Sequence, residues 1–357
     1  MSHAIDIPVA APHTTTSNSV GRVMTIVMMA LAPATLFGFW LYGWPAVWLW
    51  AITIASALLA EGFCLRLLKR PVVPVLFDGS AVLSAWLLAL SLPPWAPWWI
   101  GVFGGVVAML LGKHAFGGLG QNLFNPAMVA RVALLISFPV QMTSWVSPLP
   151  LFSAGAPGPI DGLLITLQGI PASLDAVSSA SLLGFAKTEL SRGVDLVHAM
   201  GEAPAQSWFG SRAGSLGETA AWLIAAGGIV MMGMRVISWH IPVSMLVGVA
   251  VPAAILNAVD PAHYLDAATH VLSGGVMLGA FFIATDYVTS PNTFRGQLIF
   301  GAGCGVLTYV IRTWAGYPEG VAFAVLLMNS LTPIIDSYVK PRVYGRNRKG
   351  SALPAKK

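Results

Sequence analysis

The chain has 357 residues, of which 56% are hydrophobic and only 9% charged, and its mean hydropathy is +0.74. Soluble globular domains carry about 25% charged residues, so this composition excludes that class and indicates a polytopic membrane protein. The net charge of +5 is not gathered in one basic module and does not favour nucleic acid as a partner, and two cysteines are too few to ligate an iron–sulfur cluster.

Residues 1–22 form a polar N-terminal tail without the pattern of a cleaved signal peptide. Ten apolar runs follow that are long enough, or nearly so, to cross a bilayer. They lie at 23–41, 45–64, 76–92, 97–112, 123–140, 219–238, 241–258, 270–285, 296–313 and 318–336. The sequence therefore predicts an all-α membrane protein of about ten transmembrane helices, of which the fourth and eighth are short and rich in glycine.

Lys and Arg are concentrated in the connections that share a side with both termini, above all in the basic tail at 339–357. Positive residues accumulate on the cytoplasmic side of membrane proteins. We therefore expect both termini in the cytoplasm and the long connection at 141–218 on the opposite face, towards the periplasm or the cell exterior.

That connection separates two sets of five predicted spans, at 23–140 and 219–338. DGSAVL at 78–83 is echoed weakly by LSGGVM at 272–277, and GLGQN at 118–122 by GYPEG at 316–320, each at an offset of about 195 residues. Because each set has an odd number of spans, the two sets cross in opposite directions, which is the inverted-repeat plan of many transporters. On these residues alone, an inverted repeat and coincidence stay equally open.

Several ionisable residues lie near the ends of predicted spans, where snorkelling or pairing at a helix end is the favoured interpretation. They are Glu61, Asp78, Lys113, His114, Arg131, Asp286, Glu319 and Asp336. Asn125 and Asn329 lie deeper, and for both a hydrogen bond between helices is favoured over contact with an ion or cofactor. Ser215 and Glu218 have the spacing of a capping box that would start the sixth helix.

The periplasmic connection contains DAVSSAS at 175–181. Its hydroxyl groups could accept a flavin through a phosphoester bond, and its small residues would let a transferase reach them. Asp175 would supply a charge for recognition. On residue types alone, an ordinary serine-rich loop is still the favoured interpretation.

Most of the chain, from about residue 22 to residue 345, resembles the D subunits of Rnf electron-transport complexes, which are relatives of the B subunits of the sodium-pumping NADH:quinone reductase. The resemblance is carried by GGLGQNLFNPA at 117–127, GSLGET at 214–219, ATDYVTSP at 284–291, GYPEGVAFAVLLMN at 316–329, TPIID at 332–336 and PRVYG at 341–345. It implies two inverted five-helix repeats of the kind found in urea transporters.

The resemblance also implies covalent FMN, which would make the chain a flavoprotein and a phosphoprotein in the sense of a phosphoester modification. The family's attachment motif is Asp-x-x-Ser/Thr-Gly-Ala/Ser-Thr/Ser. Carried over, Asp175, Ser178 and Ala180 match the motif and Ser181 is the FMN acceptor, whereas Ser179 stands where the family has Gly. If that Gly adopts positive φ, a side chain at this position carries a cost.

The implied activity is that of a component of a redox-driven translocase, in which electrons from NADH or ferredoxin drive Na⁺ or H⁺ across the membrane. Implied partners are the other Rnf subunits (A, B, C, E and G), a flavin transferase and the lipid bilayer. A second, noncovalent riboflavin is also implied, and Asp286 and Glu319 are candidates for ion coupling. Two alternatives stay open: an inverted-repeat channel or facilitator without a redox role, and the B subunit of the quinone reductase.

Overall fold

The computed structural model describes residues 19–169, 178–179, 181–202, 213–317 and 319–341, with the backbone alone at 178–179. Within these residues the protein is predominantly helical, as predicted. Six of the described helices are long and apolar enough to cross a membrane. They are α1 (Val20–Tyr42), α2 (Trp44–Leu67), α5 with its extension (Trp98–Phe116), α12 (His240–Val259), α15 (Phe294–Trp314) and α16 (Val321–Tyr338).

The other four predicted runs are occupied by shorter helices. These are α4 (Ser80–Ser91), α6 (Pro126–Ser137), α11 (Ala221–Gly233) and the pair α13 (Ala267–Leu272) and α14 (Val276–Leu278), the last of which continues as a π-helical turn over Gly279–Ile283. The fourth run is longer than predicted, because α5 (Trp98–Val107) continues through a π-helical turn (Ala108–Lys113) and a 3₁₀ turn (His114–Phe116).

Two of the predicted runs are interrupted at glycines with positive φ. In the third run, predicted at 76–92, α4 begins only after Gly79 (φ 79°), and α3 (Val72–Leu76) lies almost wholly ahead of that run. The eighth run divides between α13 and α14 at Gly274 (φ 67°). Left-handed φ values are readily adopted by glycine and are costly for other residues. The glycines therefore set where these two helices break, which hydropathy alone does not show.

Other helix starts follow from local chemistry. α6 begins at Pro126, which needs no N–H at the first helical position, and the Asn125 side chain accepts hydrogen bonds from the backbone N–H groups of Ala127 (3.1 Å) and Met128 (3.3 Å). The predicted capping box at Ser215 and Glu218 is wrong. Their side chains bond each other at 2.9 Å in a turn, and α11 begins later, at Ala221.

The helices before and after the long connection pack against each other, with α1 against α11 and α6 against α16. The closest helix pair is α12 with α15, where a Cβ added at Gly305 would lie 2.3 Å from the carbonyl oxygen of Met245. Such close backbone approach through small residues is typical of packing in membranes, where apolar lipid gives helices no hydrophobic reason to associate.

The long connection contains short elements packed on the ends of the spans. They are α7 (Pro139–Thr143), β1 (Trp145–Val146), α8 (Pro159–Gln168), β2 (Ser178–Ser179), α9 (Leu182–Ser191) and α10 (Leu196–Glu202). β1 and β2 pair antiparallel, with Trp145 opposite Ser179 and Val146 opposite Ser178. This pairing holds the backbone of Ser178 and Ser179, two residues of the predicted attachment motif, against the segment that leaves the first set of spans.

Candidate functional site

Ser181, the predicted flavin acceptor, is the residue that caps α9. Its Oγ accepts a hydrogen bond from the backbone N–H of Gly184 at 3.2 Å, and the residue is 7% exposed. The backbone of Ser178 lies in β2, shortly before this cap. Asp175 and Ala180 lie outside the described residues, as does the side chain of Ser178.

A small cavity of about 10 Å³ lies beside Ser181. Its polar lining comes from distant parts of the chain: Glu218 ahead of α11, Ser273 and Gly274 at the break between α13 and α14, and Glu319 ahead of α16. Ser181 is thus brought next to Glu319, one of the two predicted ion-coupling residues, although 138 positions separate them in the sequence.

Glu319 is held by two arginines and one backbone amide. Its Oε2 accepts a hydrogen bond from Arg131 Nη2 at 2.8 Å, its Oε1 accepts one from the N–H of Gly275 at 2.6 Å, and Arg312 Nη2 lies 3.7 Å from Oε1. Arg131 belongs to α6 and Glu319 to the second set of helices. The pair therefore joins the two sets across their interface.

Arg312 also holds the break in the eighth run. Its Nη1 donates to the carbonyl of His270 at 2.6 Å and its Nη2 to the carbonyl of Ser273 at 2.9 Å. Carbonyls at an interrupted helix lack the intrahelical donors of a continuous one, and the guanidinium group supplies donors instead. Gly274 is required here for a second reason, because an added Cβ would lie 2.1 Å from Arg312 Nη2 and 2.3 Å from Glu319 Oε1.

Lys187 attaches α9 to the end of α15. Its Nζ donates to the carbonyl of Arg312 at 3.2 Å, to that of Tyr317 at 3.4 Å and to that of Ala315. A cation at a helix C-terminus satisfies free carbonyls and opposes the helix dipole. Burial lowers the pKa of this amine. The helix that begins at the predicted attachment residue is therefore fixed to the second set of spans.

A second buried charge cluster lies around the other interrupted helix. Lys113 donates to Glu61 and, at 2.6 Å, to Ser80 Oγ, while His114 Nε2 lies 3.5 Å from Glu61. Asp78 Oδ1 accepts from the backbone N–H of Ser80 at 2.7 Å. The side chains of Lys113 and Glu61 are 2% and 0% exposed, so snorkelling is wrong for this pair and pairing is correct.

A cavity of about 90 Å³ lies between the two sets of helices. Its lining is mostly apolar and includes Phe281 and Phe282. The polar lining groups include the amides Asn122 and Asn125 and the ionisable Lys113 and Asp286. Asp286 accepts hydrogen bonds from Thr289 Oγ1 (3.2 Å) and the N–H of Val288 (3.4 Å).

The predicted hydrogen bonds of the two buried asparagines between helices are confirmed. Asn125 Nδ2 donates to the carbonyl of Ile283 at 3.5 Å. With the Asn329 amide turned so that its oxygen faces donors, that oxygen accepts from the backbone N–H of Asn125 at 3.1 Å and the nitrogen donates to the carbonyl of Thr289 at 3.3 Å. The two contacts of Asn125 again join the first set of helices to the second.

Sequence reasoning misses three residues of this site: Lys187, Glu218 and Arg312. On the predicted topology, Lys187 and Arg312 are two of the few positive charges on the outer side and have no assigned role, and Glu218 is predicted to cap a helix. A signal is present for Arg312, because it lies one helical run after a glycine pair at 274–275, as Lys113 lies after Gly79. Nothing in the local sequence marks Lys187.

Comparison with known proteins agrees with the resemblance carried by the motifs. A profile described as "NQR2, RnfD, RnfE family" matches residues 8–345. Among similar proteins, the D subunit of the ion-translocating oxidoreductase complex of Halorhodospira halophila is 54% identical over 347 residues, covering 97% of each chain. The protein of the same name from Stutzerimonas stutzeri is 52% identical and covers 95% of this chain and 96% of its own, and that from Rhodobacter capsulatus is 47% identical and covers 85% of each. The chain therefore belongs to the NQR2, RnfD, RnfE family.

Proposed function

We propose that this protein is the membrane-embedded D subunit of an Rnf-type ion-translocating oxidoreductase complex and that it carries FMN, bound covalently at Ser181, on the periplasmic face. The observation that carries the proposal is the position of Ser181, at the start of α9 and beside the contact between the two sets of helices. The relatives that match almost the whole chain bear the name of that subunit.

Two features around Ser181 bear on a phosphoester: the start of α9 offers backbone donors to it, and the acids Glu218 and Glu319 line the neighbouring cavity. The hydroxyl lies at the N-terminus of a ten-residue helix, where free backbone N–H groups and the helix dipole stabilise an anion. Covalent attachment would keep the flavin at a high effective concentration near its electron donor. When bound, the flavin supplies the redox chemistry, and the chain supplies the anchor and its surroundings.

We propose that the second, noncovalent flavin binds at the mostly apolar cavity between the two sets of helices. Phe281 and Phe282 offer apolar surface for a planar ring, while Asn122 and Asn125 offer hydrogen-bonding groups for its polar edge. This cavity is separate from the one at Ser181.

Ten spans in two inverted repeats, as in urea transporters, form part of the proposal. Gly79 and Gly274 interrupt equivalent helices about 195 residues apart, and in each case a cation near the end of the next long helix reaches the interruption. Lys113 does so in the first set and Arg312 in the second. The positions of Lys and Arg support an inner-membrane protein with both termini in the cytoplasm.

Asp286 and Glu319 are the proposed ion-coupling residues, and their surroundings suggest different parts. Asp286 lines the cavity between the two sets and has no Lys, Arg or His nitrogen within 4.0 Å among the described residues, so it suits direct contact with Na⁺ or H⁺. Two guanidinium groups lie within 4.0 Å of Glu319 and would repel Na⁺. Glu319 therefore suits an indirect role, in which its charge acts on the ion path without contact with the ion.

The proposed partners are the remaining Rnf subunits (A, B, C, E and G), together with a flavin transferase for maturation. The tethered FMN would accept electrons from one of these subunits. The free energy of electron transfer would then drive Na⁺ or H⁺ across the membrane. In this scheme the chain is one component of a translocase rather than a complete enzyme.

The test is covalent flavin on the denatured protein. Wild-type protein made together with a flavin transferase should fluoresce under ultraviolet light after denaturing electrophoresis, and Ser181→Ala should not. Ser153→Ala, an exposed serine in the same connection, is the matched control and should keep the fluorescence. Mass spectrometry should place the added FMN on the peptide that contains residue 181.

A colourless wild-type band would contradict flavin attachment, and a fluorescent Ser181→Ala band would contradict the assignment to this residue. A colourless protein that also fails to associate with other redox subunits would instead favour a facilitator built on the same helices.

A further inference from the structure

A buried carboxyl group without a neighbouring cation lies beside Ser181. Glu218 is 7% exposed, and its Oε1 accepts a hydrogen bond from Ser215 Oγ at 2.9 Å. Among the described residues, no Lys, Arg or His nitrogen lies within 4.0 Å of its carboxyl oxygens. An ionised carboxylate in such a place has neither water nor a close positive charge to stabilise it.

The two cations nearest to Glu218 contact a different acid, Glu319. Arg131 and Arg312 both lie against Glu319, which also accepts the N–H of Gly275. These donors favour the ionised form of Glu319, and its negative charge then disfavours a second negative charge at Glu218. When the surroundings of two neighbouring acids differ in this way, the acids take different protonation states.

The backbone of residues 214–217 lies close to the Glu218 carboxyl group. A Cβ added at Gly214 would lie 2.5 Å from Glu218 Oε2, and the carbonyl of Gly214 accepts a hydrogen bond from the Tyr42 hydroxyl at 3.1 Å. Gly217 donates its N–H to the carbonyl of Leu90 at 2.7 Å, which fixes the same turn to α4. The carboxyl group is therefore held in place.

The polar and titratable groups that face Glu218 come from every element around the turn. They are Tyr42 of α1, Arg131 of α6, Ser181 at the start of α9, Ser273 at the break after α13, Arg312 of α15 and Glu319 ahead of α16. Burial and, after it, the charge of Glu319 raise the pKa of Glu218 to about 8, against the opposing effect of the two arginines. Glu218 lies in the connection ahead of α11.

We propose that Glu218 is a proton site linked to the redox state of the flavin anchored at Ser181: a neutral acid at pH 7 that holds its proton more tightly when the flavin is reduced. This inference rests on the proposed function, because the flavin is the group whose charge changes. Glu218 acts on the flavin through its charge and is not a catalytic residue.

In the proposed step, uptake of a proton by Glu218 compensates the electron that is added to the flavin. One electron from a neighbouring redox subunit adds one negative charge to the flavin. Where Glu218 is still ionised, one proton from water outside the membrane binds its carboxylate and compensates that charge. Oxidation of the flavin releases both. No covalent bond other than the O–H bond of the carboxyl group is made or broken.

Linkage between the two events is reciprocal. If reduction tightens proton binding at Glu218, then raising the pH through the pKa of about 8 must make the flavin harder to reduce. Each tenfold difference in proton affinity between the two redox states corresponds to about 59 mV in the potential of a one-electron couple.

The first experiment asks whether Glu218 holds a proton. It is done on protein without flavin. The sample is the purified full-length Ser181→Ala variant. Its infrared spectrum should show the C=O band of a protonated carboxyl group at pH 7, and this band should disappear as the pH rises through about 8. Glu218→Gln should lack this band. Glu189→Gln, an acid of the same connection paired with Arg192, should retain it. If the C=O intensity that titrates near pH 8 is unchanged in Glu218→Gln, or is missing at pH 7, the assignment is overturned.

The second experiment asks whether the proton follows the electron. In the assembled complex, the midpoint potential of the covalent flavin should fall more steeply with pH above about 8 in the wild type than in Glu218→Gln. Equal slopes would overturn the redox link. A complex without covalent flavin would overturn the proposed function and the link with it, whereas the infrared titration would still decide whether Glu218 holds the proton.

Discussion

Removing the charge of Glu61 is expected to destabilise the protein more than removing that of its partner, Lys113. Glu61→Gln leaves a buried ammonium group beside the hydroxyl of Ser80, at 2.6 Å, and without a carboxylate. Lys113→Met leaves Glu61 next to His114, whose Nε2 lies 3.5 Å from Glu61 Oε1. The two substitutions break the same pair, but only Lys113→Met leaves the remaining charged group with a second basic side chain beside it.

The expected magnitudes follow from burial. Both side chains are at most 2% exposed, and breaking such a pair by removing one partner costs about 3–5 kcal/mol. We expect Glu61→Gln in this range and Lys113→Met at about 1–3 kcal/mol, the cost of a buried group that keeps a weaker partner. The double variant removes both charges and should cost less than Glu61→Gln alone, because neighbouring effects in one pair are not additive.

The assay is the free energy of unfolding in mixed micelles, followed by tryptophan fluorescence as sodium dodecyl sulfate is added. Glu189→Gln breaks a pair whose arginine is 67% exposed and is the control, with an expected change below about 1 kcal/mol. A Glu61→Gln variant within about 1 kcal/mol of the wild type, or a double variant as unstable as the two singles combined, would refute this reasoning.

Three further predictions concern the other charge cluster. Gly274→Ala should destabilise the protein by about 1–3 kcal/mol, because its φ is positive and the new Cβ would meet a guanidinium nitrogen at 2.1 Å; Gly275→Ala, whose Cβ would meet nothing closer than 3.7 Å, should have a smaller effect in the same unfolding assay. Lys187→Met should release α9 from the end of α15 and speed proteolytic cleavage of the connection at 141–218, while the cleavage rate of other loops stays unchanged. Because the pKa of Glu218 is raised from 4.5 to about 8, the folded state binds more protons than the unfolded state between these values. Wild-type stability should therefore fall as the pH rises through that window relative to Glu218→Gln, and parallel pH profiles of the two proteins would contradict the shift.

Hydropathy predicts most of the helical architecture because long apolar runs have few alternatives in a membrane. It does not show where the third and eighth runs break. Gly79 and Gly274 lie within runs that are apolar overall, and the interruptions depend on positive φ and on cations that arrive from a later helix. Such partners are set by tertiary structure, and their trace in the sequence is that Lys113 follows Gly79, and Arg312 follows Gly274, by one helical run.

For the candidate site, the sequence predicts Ser181 and Glu319 through the family resemblance, but not their proximity. The cavity that they share is formed by segments from the long connection and from both ends of the second set of helices. The spacing of Glu218 from Ser215 is misleading, because it is typical of a helix cap. The same two side chains do bond each other, but in a turn that points the acid into the cavity.

Charged residues inside a membrane protein are often interpreted as parts of an ion path, and this structure separates them by what they contact. Lys113 and Arg312 reach polar groups at the two helix interruptions, and Arg131 neutralises Glu319 across the interface between the two sets of helices. Irregular backbone is tolerated at membrane depth only where its polar groups are satisfied, so these cations are explained by structure. Asp286 and Glu218 have no such explanation, because no cation lies within 4.0 Å of either among the described residues. Substitutions that test ion and proton coupling should therefore begin with these two acids, and loss of transport in variants of the three cations should be attributed to coupling only after folding has been measured.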